Sequence, residues 1–370
     1  MNLNQTVDAA IDAALGARIV GCVVLVNHQG KTVYARAAGL ADRETGRAME
    51  LDAIFRLASV TKPIVATAIL KLVDLGTIGL DDAVTRFLPW FTPVSPDGSP
   101  AVITVRQLLS HSSGLAYGRV PPEASLGMAG PRLSLNENLR RIAGVRLAFA
   151  PGTGWEYGTS IDVLGGMLAA INGSNVEDAL DKYVTGALGM ADTHFFVTDA
   201  SRLAVPYADG RPPVRMDDPH LVIDDQGSGT WFSPSRIFQP DAPQAGGSGA
   251  AGTAADIMKL LEIYNGTPGL LQPETVTAAL SNQIGRLPRR ASDAGKRFSL
   301  IGAVIDDAKA AKSPCPVGTV DWGGAWGHNW IVDPVNGITV VVCTNTTFEG
   351  CNGPFRDDIR DAVYEGLATT

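Results

Sequence analysis

The sequence predicts an α/β protein of the α+β type, with an antiparallel sheet flanked by helices and built from both chain ends, plus a mostly helical inserted domain. The first 80 residues hold two helical patterns around a strand pair, and the last third returns to strands before a final helix. The middle has short helical stretches separated by Pro and Gly. We therefore expect a sheet domain at residues 1–80 and 246–370, and a helical domain with irregular binding loops at residues 81–245.

The N-terminal segment predicts a helix, a hairpin and a second helix. Apolar residues recur at helical spacing over residues 7–19. Residues 20–27 and 32–39 are rich in Val and Ala and flank the turn at residues 28–31, as in a β-hairpin. A helix then begins near Ser59, and we expect it to end at Gly76, because glycine is common at that position.

The middle of the chain predicts short helices and one long loop. Helical patterns cover residues 104–111, 135–143 and 163–172. Residues 207–244 carry many Pro, Asp and Gly with little periodicity, which predicts an irregular loop that shapes a binding site.

The C-terminal part predicts a helix, several strands and a closing helix. Thr253 is a suitable N-cap for a helix at residues 257–264. Residues 333–337 read as a hairpin turn, and residues 355–367 as the last helix. The predicted strands cover residues 298–305, 318–323, 328–332 and 338–344.

Composition limits the partners that we expect. The net charge of −8 lacks a basic block, which disfavours nucleic acid and anionic membranes as partners. The first residues do not resemble a signal peptide, and no apolar run is long enough to span a bilayer, so we expect a cytoplasmic protein. The four cysteines are scattered, which predicts free thiols. The histidines lack metal-ligand spacing, so we expect neither a metal nor another cofactor.

Ser59 and Lys62 are the first candidate catalytic residues. Positions three apart share one face of a helix, so the Lys62 amine can approach the Ser59 hydroxyl. A serine hydroxyl needs a base to become a nucleophile, and lysine can serve where burial and neighbouring cations lower its pKa. The apolar helix that follows places Lys62 near buried surface. The Ser59 amide at the helix start can also stabilise developing negative charge.

Tyr157 and the stretch from Asp321 to His328 are the second and third candidates. Tyr157 follows a glycine-rich turn, and a phenol beside an ammonium group can relay a proton, although a core tyrosine is the alternative. Trp322, Gly323 and Gly324 read as a strand that a substrate can approach closely, and an amide there can complete an oxyanion hole with that of Ser59. A plain aromatic hairpin is the alternative.

Four weaker candidates accompany these motifs. His111 lies in a helix-ending turn with two serines, which indicates a structural capping role. His328 lies just beyond the glycines of the third motif and is a candidate pocket residue. Trp231 and Trp326 are our candidates for lining an apolar substrate pocket, although most aromatic residues simply fill cores.

These motifs, in this order, resemble those of the class C β-lactamase-related family, most closely its carboxylesterase branch, family VIII. The stretches that carry the resemblance are residues 55–62, residues 108–115, Tyr157 behind Pro151-Gly152, and Trp322-Gly323-Gly324. The resemblance extends over nearly the whole chain. It implies the β-lactamase/transpeptidase-like fold, Ser59 as the acyl-forming nucleophile, Lys62 and Tyr157 as the proton-transfer pair, and the amides of Ser59 and Ala325 as oxyanion donors.

Two departures from the β-lactamase pattern bear on the substrate. Trp322-Gly323-Gly324 stands where those enzymes carry Lys-Thr-Gly, so a cation that helps to hold a substrate carboxylate is missing. Thr159 stands where they carry the Asn of Tyr-x-Asn, which removes an amide that grips the acylamino side chain. Both losses favour a neutral ester.

The sequence therefore predicts a serine carboxylesterase that acts on short-chain esters. An amidase, a peptidase or a weak β-lactamase with the same machinery is the alternative, and a non-catalytic binding protein of the same fold is a further one. A small-molecule ester is the expected partner, and a monomer and a homodimer are both open.

Overall fold

The computed structural model describes residues 1–120, 124, 128, 133–197, 199–223, 227, 229–289 and 293–368. Within those ranges the helices are α1 (Leu3–Ala14), α2 (Thr61–Asp74), α3 (Val105–Leu109), α4 (Leu135–Ala143), α5 (Ser160–Asn172), α6 (Val176–Leu180), α7 (Gly186–Leu188), α8 (Ala254–Glu262), α9 (Pro273–Leu280) and α10 (Pro354–Leu367). The strands are β1 (Gly21–His28), β2 (Lys31–Asp42), β3 (Arg47–Ala48), β4 (Ile54–Arg56), β5 (Tyr207–Ala208), β6 (Val214–Arg215), β7 (His220–Ile223), β8 (Gly229–Phe232), β9 (Ala251–Thr253), β10 (Lys296–Phe298), β11 (Ala303–Ile305), β12 (Val320–Gly324), β13 (His328–Asp333) and β14 (Ile338–Thr344).

An antiparallel sheet built from both chain ends forms the centre of the fold, as predicted. Its strand order is β10-β11-β12-β13-β14-β1-β2-β3. Pairing between β1 and β14 joins the two ends of the chain, with Val24 opposite Val342. The loop between β13 and β14 is the predicted hairpin turn, where the Asp333 carboxylate accepts amide protons from Val335 and Asn336.

The sheet is buried on both faces because helices cover each side. Along β1, Val23 packs into the larger apolar cluster, which includes residues of α2, α5 and α8. The next residue, Val24, packs into a second cluster with residues of α1 and α10. Strands buried on both faces read as continuous apolar runs, which is why β1 and β14 were recognisable in the sequence.

Helix α2 carries the lysine candidate and lies inside the larger apolar cluster. Every residue from Thr61 to Leu70 is buried, including Lys62. The helix contacts α5 and α6, so one continuous core extends from the sheet into the helical region. The start of α2 is therefore held from several sides.

Three predicted elements need correction. The strand predicted over residues 298–305 is instead the hairpin β10–β11, because the Ser299 hydroxyl accepts amide protons from Ile301 and Gly302 and makes a turn inside an apolar run. Helix α1 (Leu3–Ala14) begins and ends earlier than the predicted range 7–19, because Asn2 and Gln5 form a capping box and Leu15 is extended. The segment 207–244 is less irregular than predicted, since it holds the hairpins β5–β6 and β7–β8.

Other expectations concern location and thiols. Within the described ranges, no helix is both long enough and apolar enough to cross a membrane. The cytoplasmic location stays a prediction. All four cysteines are free thiols in the structure.

Candidate active site

Ser59 lies in a tight turn between a strand and the buried helix α2. The turn is a 3-10 helix over Ala58–Val60, and β4, which precedes it, pairs with β9. Ala58 has a φ of 46°, a left-handed conformation that is uncommon for residues other than glycine. Such strained backbone is concentrated at functional sites, and here it places Ser59 directly before the helix.

Lys62 is buried and reaches the Ser59 hydroxyl as predicted. The side chain is 4% exposed. Its Nζ donates to Ser59 Oγ at 3.0 Å, to the Tyr117 hydroxyl at 3.2 Å and to the Gly247 carbonyl at 2.7 Å. A lysine ammonium group has three donors, so these contacts use all of them.

The pKa of Lys62 departs from our expectation. Burial by itself lowers this pKa, but Tyr117, Tyr157 and Asp162 raise it more, and the net pKa of Lys62 is raised above its usual value. The expectation of a lowered pKa is therefore wrong, because the sequence did not show the anionic and phenolic groups that surround the amine. Lys62 is an ammonium group at neutral pH, and the Ser59 oxygen is an acceptor for it.

Tyr157 faces the lysine and is held by groups from three parts of the chain. Lys62 Nζ lies 4.7 Å from the centre of the Tyr157 ring. The indole Nε1 of Trp322 donates to the Tyr157 hydroxyl at 3.0 Å. Because an indole N–H can only donate, it stabilises negative charge that develops on the tyrosine oxygen. His111 supports the other side, since its ring centre is 4.6 Å from that of Tyr157.

His111 is neutral and structural in this arrangement. It is 1% exposed, and its Nδ1 accepts the amide proton of Gly158 at 3.3 Å. Burial, with the charges of Lys62 and Arg289, lowers the pKa of His111 well below its usual value. The neutral ring therefore positions the peptide unit next to Tyr157.

Tyr117 is a site residue that sequence reasoning missed. Its hydroxyl accepts a hydrogen bond from Lys62 Nζ, and its ring centre lies 5.6 Å from that of Tyr157. The Tyr117 side chain is 45% exposed, but desolvation of its hydroxyl beside Lys62 raises the pKa of Tyr117 more than the charge of Lys62 lowers it, so the hydroxyl keeps its proton. In the sequence, the signal for Tyr117 was its position just beyond the turn at residues 111–115. In the structure, the preceding residue Ala116 forms a β-bridge with Gly158, which brings this segment next to Tyr157.

Gly324 lets strand β12 approach Ser59, the predicted nucleophile, closely. A Cβ atom at this position would overlap the Leu57 carbonyl oxygen and lie 3.3 Å from the Ser59 amide nitrogen. Gly323 is also tightly packed, because a Cβ there would lie 2.7 Å from the His328 carbonyl oxygen. Ala325 follows Gly324 directly, so the strand end that carries the predicted oxyanion donor lies beside Ser59.

Trp326 packs close to the nucleophile turn. It is 5% exposed, and its ring is 4.7 Å from that of Phe232 on hairpin β7–β8. Both rings belong to one apolar cluster with Ala58. The Arg56 guanidinium lies 5.6 Å from the Trp326 ring and donates to the Pro234 and Ala204 carbonyls. This ties the segment 207–244 to the strand before Ser59.

Three predicted substrate-binding residues lie elsewhere. His328 and Thr159 are 1% and 2% exposed, so neither presents a surface to a substrate. The Nε2 of His328 instead donates to the Arg56 carbonyl at 2.7 Å. Trp231 is 53% exposed beside Leu221, on the face of β7–β8 opposite the one that carries buried Phe232.

Two cavities border the site. A cavity of about 20 Å³ lies between Trp326, Arg56 and Ile237, which is room for roughly one water molecule. A wider cavity of about 360 Å³ is lined by Ala116, Gly118, Trp155 and Glu156, which flank the two tyrosines in the sequence, and by other residues. Among the described residues, no group of His, Cys, Asp or Glu side chains is arranged to hold a metal ion. That the protein works without a cofactor stays a prediction.

Comparisons with known proteins identify a matching family and similar proteins. A family model described as Beta-lactamase matches residues 7–364. Esterase EstB from Burkholderia gladioli is 44% identical over 375 residues, covering 98% of this chain and 95% of that protein. The structure of EstCE1, a hydrolase with promiscuous acyltransferase activity, superimposes with a TM-score of 0.92 at 37% identity and covers 98% of each chain. A simvastatin synthase from Aspergillus terreus shares the fold, with a TM-score of 0.76 at 21% identity over the full length of both chains.

The buried position of His328 predicts a pH-dependent stability. Burial lowers the pKa of His328 to about 4. Between pH 6.5 and 4 the unfolded chain therefore binds a proton that the folded protein does not, so stability falls as the pH drops through this window, by about 3 kcal/mol for this residue. In His328→Gln, whose amide can still donate to the Arg56 carbonyl, we expect this part of the loss to disappear in urea unfolding measured at pH 7, 6, 5 and 4.

His28→Gln, at the end of β1, controls for the removal of a histidine. Equal pH dependence of unfolding in wild type and His328→Gln would contradict a buried neutral imidazole at this position.

Proposed function

Because the chain belongs to the β-lactamase family and is an esterase of the β-lactamase fold, we propose that it is a serine carboxylesterase that hydrolyses short-chain carboxylic esters through a Ser59 acyl-enzyme. The observation that carries the proposal is the 3.0 Å contact between Lys62 Nζ and Ser59 Oγ at the start of a buried helix. The name of the relative Esterase EstB, 44% identical over nearly the full length, supports ester hydrolysis.

Acylation begins with attack of Ser59 Oγ on the ester carbonyl carbon. As the new C–O bond forms, the serine proton passes to the coupled unit of Lys62 and Tyr157, which has already lost one proton to solvent. The Tyr157 oxygen accepts, and the ammonium group of Lys62 stabilises the charge. The amides of Ser59 and Ala325 stabilise the carbonyl oxygen as it becomes negative. When the ester C–O bond breaks, the same unit returns the proton to the departing alkoxide, which leaves as an alcohol.

Deacylation repeats these steps with water. A water molecule attacks the acyl carbon and gives a proton to the Lys62–Tyr157 unit, and the bond to Ser59 Oγ then breaks. Ser59 recovers the proton, and the carboxylic acid leaves. Trp322 supports the cycle because its indole N–H, 3.0 Å from the Tyr157 oxygen, stabilises the charge that this oxygen gains in both half-reactions.

A neutral ester is the substrate class that the chemistry favours. Trp322 stands where the β-lactamases carry a lysine, and its only polar hydrogen is used by Tyr157. Thr159 stands where they carry an asparagine, and it is buried. Neither position therefore offers a group to a substrate carboxylate or to an acylamino side chain.

The packing around Trp326 supports a preference for short acyl chains. Trp326 and Phe232 are both buried and pack with Ala58, next to the nucleophile. The cavity behind Trp326 is about 20 Å³, which is too small for an alkyl chain. An acyl group on this side of Ser59 therefore meets Trp326, which Phe232 supports from the interior.

Ser59→Ala tests the nucleophile. We expect it to lower kcat/KM for p-nitrophenyl butyrate by about a thousandfold or more, because the remaining groups cannot form the acyl-enzyme. Mass spectrometry after treatment with a fluorophosphonate should find the label on Ser59 in wild type and nowhere in the variant. Ser174→Ala, at an exposed position, is the control and should keep full activity. Normal turnover by Ser59→Ala would refute the acyl-enzyme.

Trp326→Ala tests the acyl-chain preference. Removal of the indole opens space beside Ala58, so we expect the ratio of kcat/KM for p-nitrophenyl octanoate over butyrate to rise by about tenfold. Trp90→Ala, a half-buried tryptophan that stacks on Arg140, controls for the loss of an aromatic ring elsewhere. A wild-type preference for octanoate, or an unchanged ratio in Trp326→Ala, would contradict the short-chain assignment.

A further inference from the structure

Asp162 is a buried acidic residue close to the catalytic lysine that the proposed reaction has not used. It lies in the first turn of α5 and is 1% exposed. A carboxylate at the start of a helix is usually explained by the helix dipole, and such groups commonly remain in contact with water. Asp162 is instead enclosed, and a buried charge requires a specific partner.

The partner of Asp162 is the peptide segment that holds Lys62. Asp162 Oδ1 accepts the amide proton of Gly247 at 2.8 Å. The carbonyl of the same residue, Gly247, accepts from Lys62 Nζ at 2.7 Å, the shortest of the three lysine contacts. One residue of the backbone therefore connects the carboxylate to the ammonium group.

The geometry of this connection leaves no room for another residue at position 247. A Cβ atom on Gly247 would lie 2.5 Å from Asp162 Oδ2, and one on Gly246 would lie 2.8 Å from the Ile161 carbonyl oxygen. Three residues further on, the amide of Ala250 donates to the Thr61 hydroxyl at 3.2 Å. The segment is thus held between the start of α5 and the start of α2.

The charges around Lys62 show what Asp162 contributes. The titratable groups that act on the lysine are Tyr117, Tyr157 and Asp162, and Lys62 in turn acts on His111. Tyr117 keeps its proton, and His111 is neutral. Asp162 is the carboxylate among these groups: burial raises its pKa, Lys62 and the Gly247 amide act against that rise, and its charge favours the protonated form of Lys62.

We propose that Asp162 is a positioning residue for Lys62. It acts through the backbone of Gly247 to hold the lysine against Ser59, and it sets the pH at which the Lys62–Tyr157 unit becomes active. This inference rests on the proposed esterase mechanism. The unit becomes active when it loses its first proton, because only then can it accept the proton of Ser59. A nearby negative charge delays that loss to higher pH.

The test is the pH profile of Asp162→Asn. The amide oxygen of asparagine can still accept from Gly247, so the fold is retained while the charge is removed. We expect the acidic limb of kcat/KM for p-nitrophenyl butyrate to move to lower pH by about one unit. The rate of labelling by a fluorophosphonate, followed over the same pH range, should show the same shift. Asp162→Ser, which keeps an acceptor without the charge, is the second variant should Asp162→Asn fold poorly.

Asp256→Asn is the matched control. Asp256 is 2% exposed in the first turn of α8, where it accepts from the Thr193 hydroxyl and forms an ion pair with Lys259. It should lower stability without moving the acidic limb. An acidic limb that is unchanged in Asp162→Asn, with wild type still labelled at Ser59, would overturn the proposed role of Asp162 and leave the proposed function intact. Failure of wild type to be labelled would instead overturn the proposed function.

Discussion

The organising interaction of this protein is a buried ammonium group whose three donors are all used. Lys62 is almost fully enclosed, and it bonds to a serine, a tyrosine and a backbone carbonyl that come from three separate segments of the chain. Burial of a charge is costly unless it is compensated, so the three acceptors and the neighbouring Asp162 must be held in place together. The surrounding fold supplies that constraint.

Each part of the fold contributes one side of this arrangement. The sheet, closed by pairing of β1 with β14, brings β12 against the nucleophile turn, where Gly324 permits the approach. The helical region supplies Tyr117, Tyr157 and Asp162, and a continuous apolar core joins it to the sheet around α2. The lysine is thus at the junction of two regions, and small shifts between them would change its contacts with Ser59.

The residue at position 322 distinguishes this site from a β-lactamase site. Where the β-lactamases use a lysine to hold a substrate carboxylate, this chain has Trp322, and its indole N–H is directed to Tyr157. Neutral esters are compatible with that change, because they need no cation for binding. Trp326 and Phe232 pack in one apolar cluster with Ala58, and the proposed preference for short acyl chains rests on this packing.

The sequence by itself determined the fold class, the positions of most helices and strands, and the pairing of Ser59 with Lys62. These follow from local rules, since apolar periodicity identifies elements and a spacing of three residues on a helix brings side chains together. Only the tertiary structure decided the rest. It brought in Tyr117, the carbonyl of Gly247 and the carboxylate of Asp162, and it enclosed His328 and Thr159 in the interior. It also reversed the expected direction of the Lys62 pKa, because that pKa depends on charged and polar groups from distant segments, whose distances to the amine no local pattern contains.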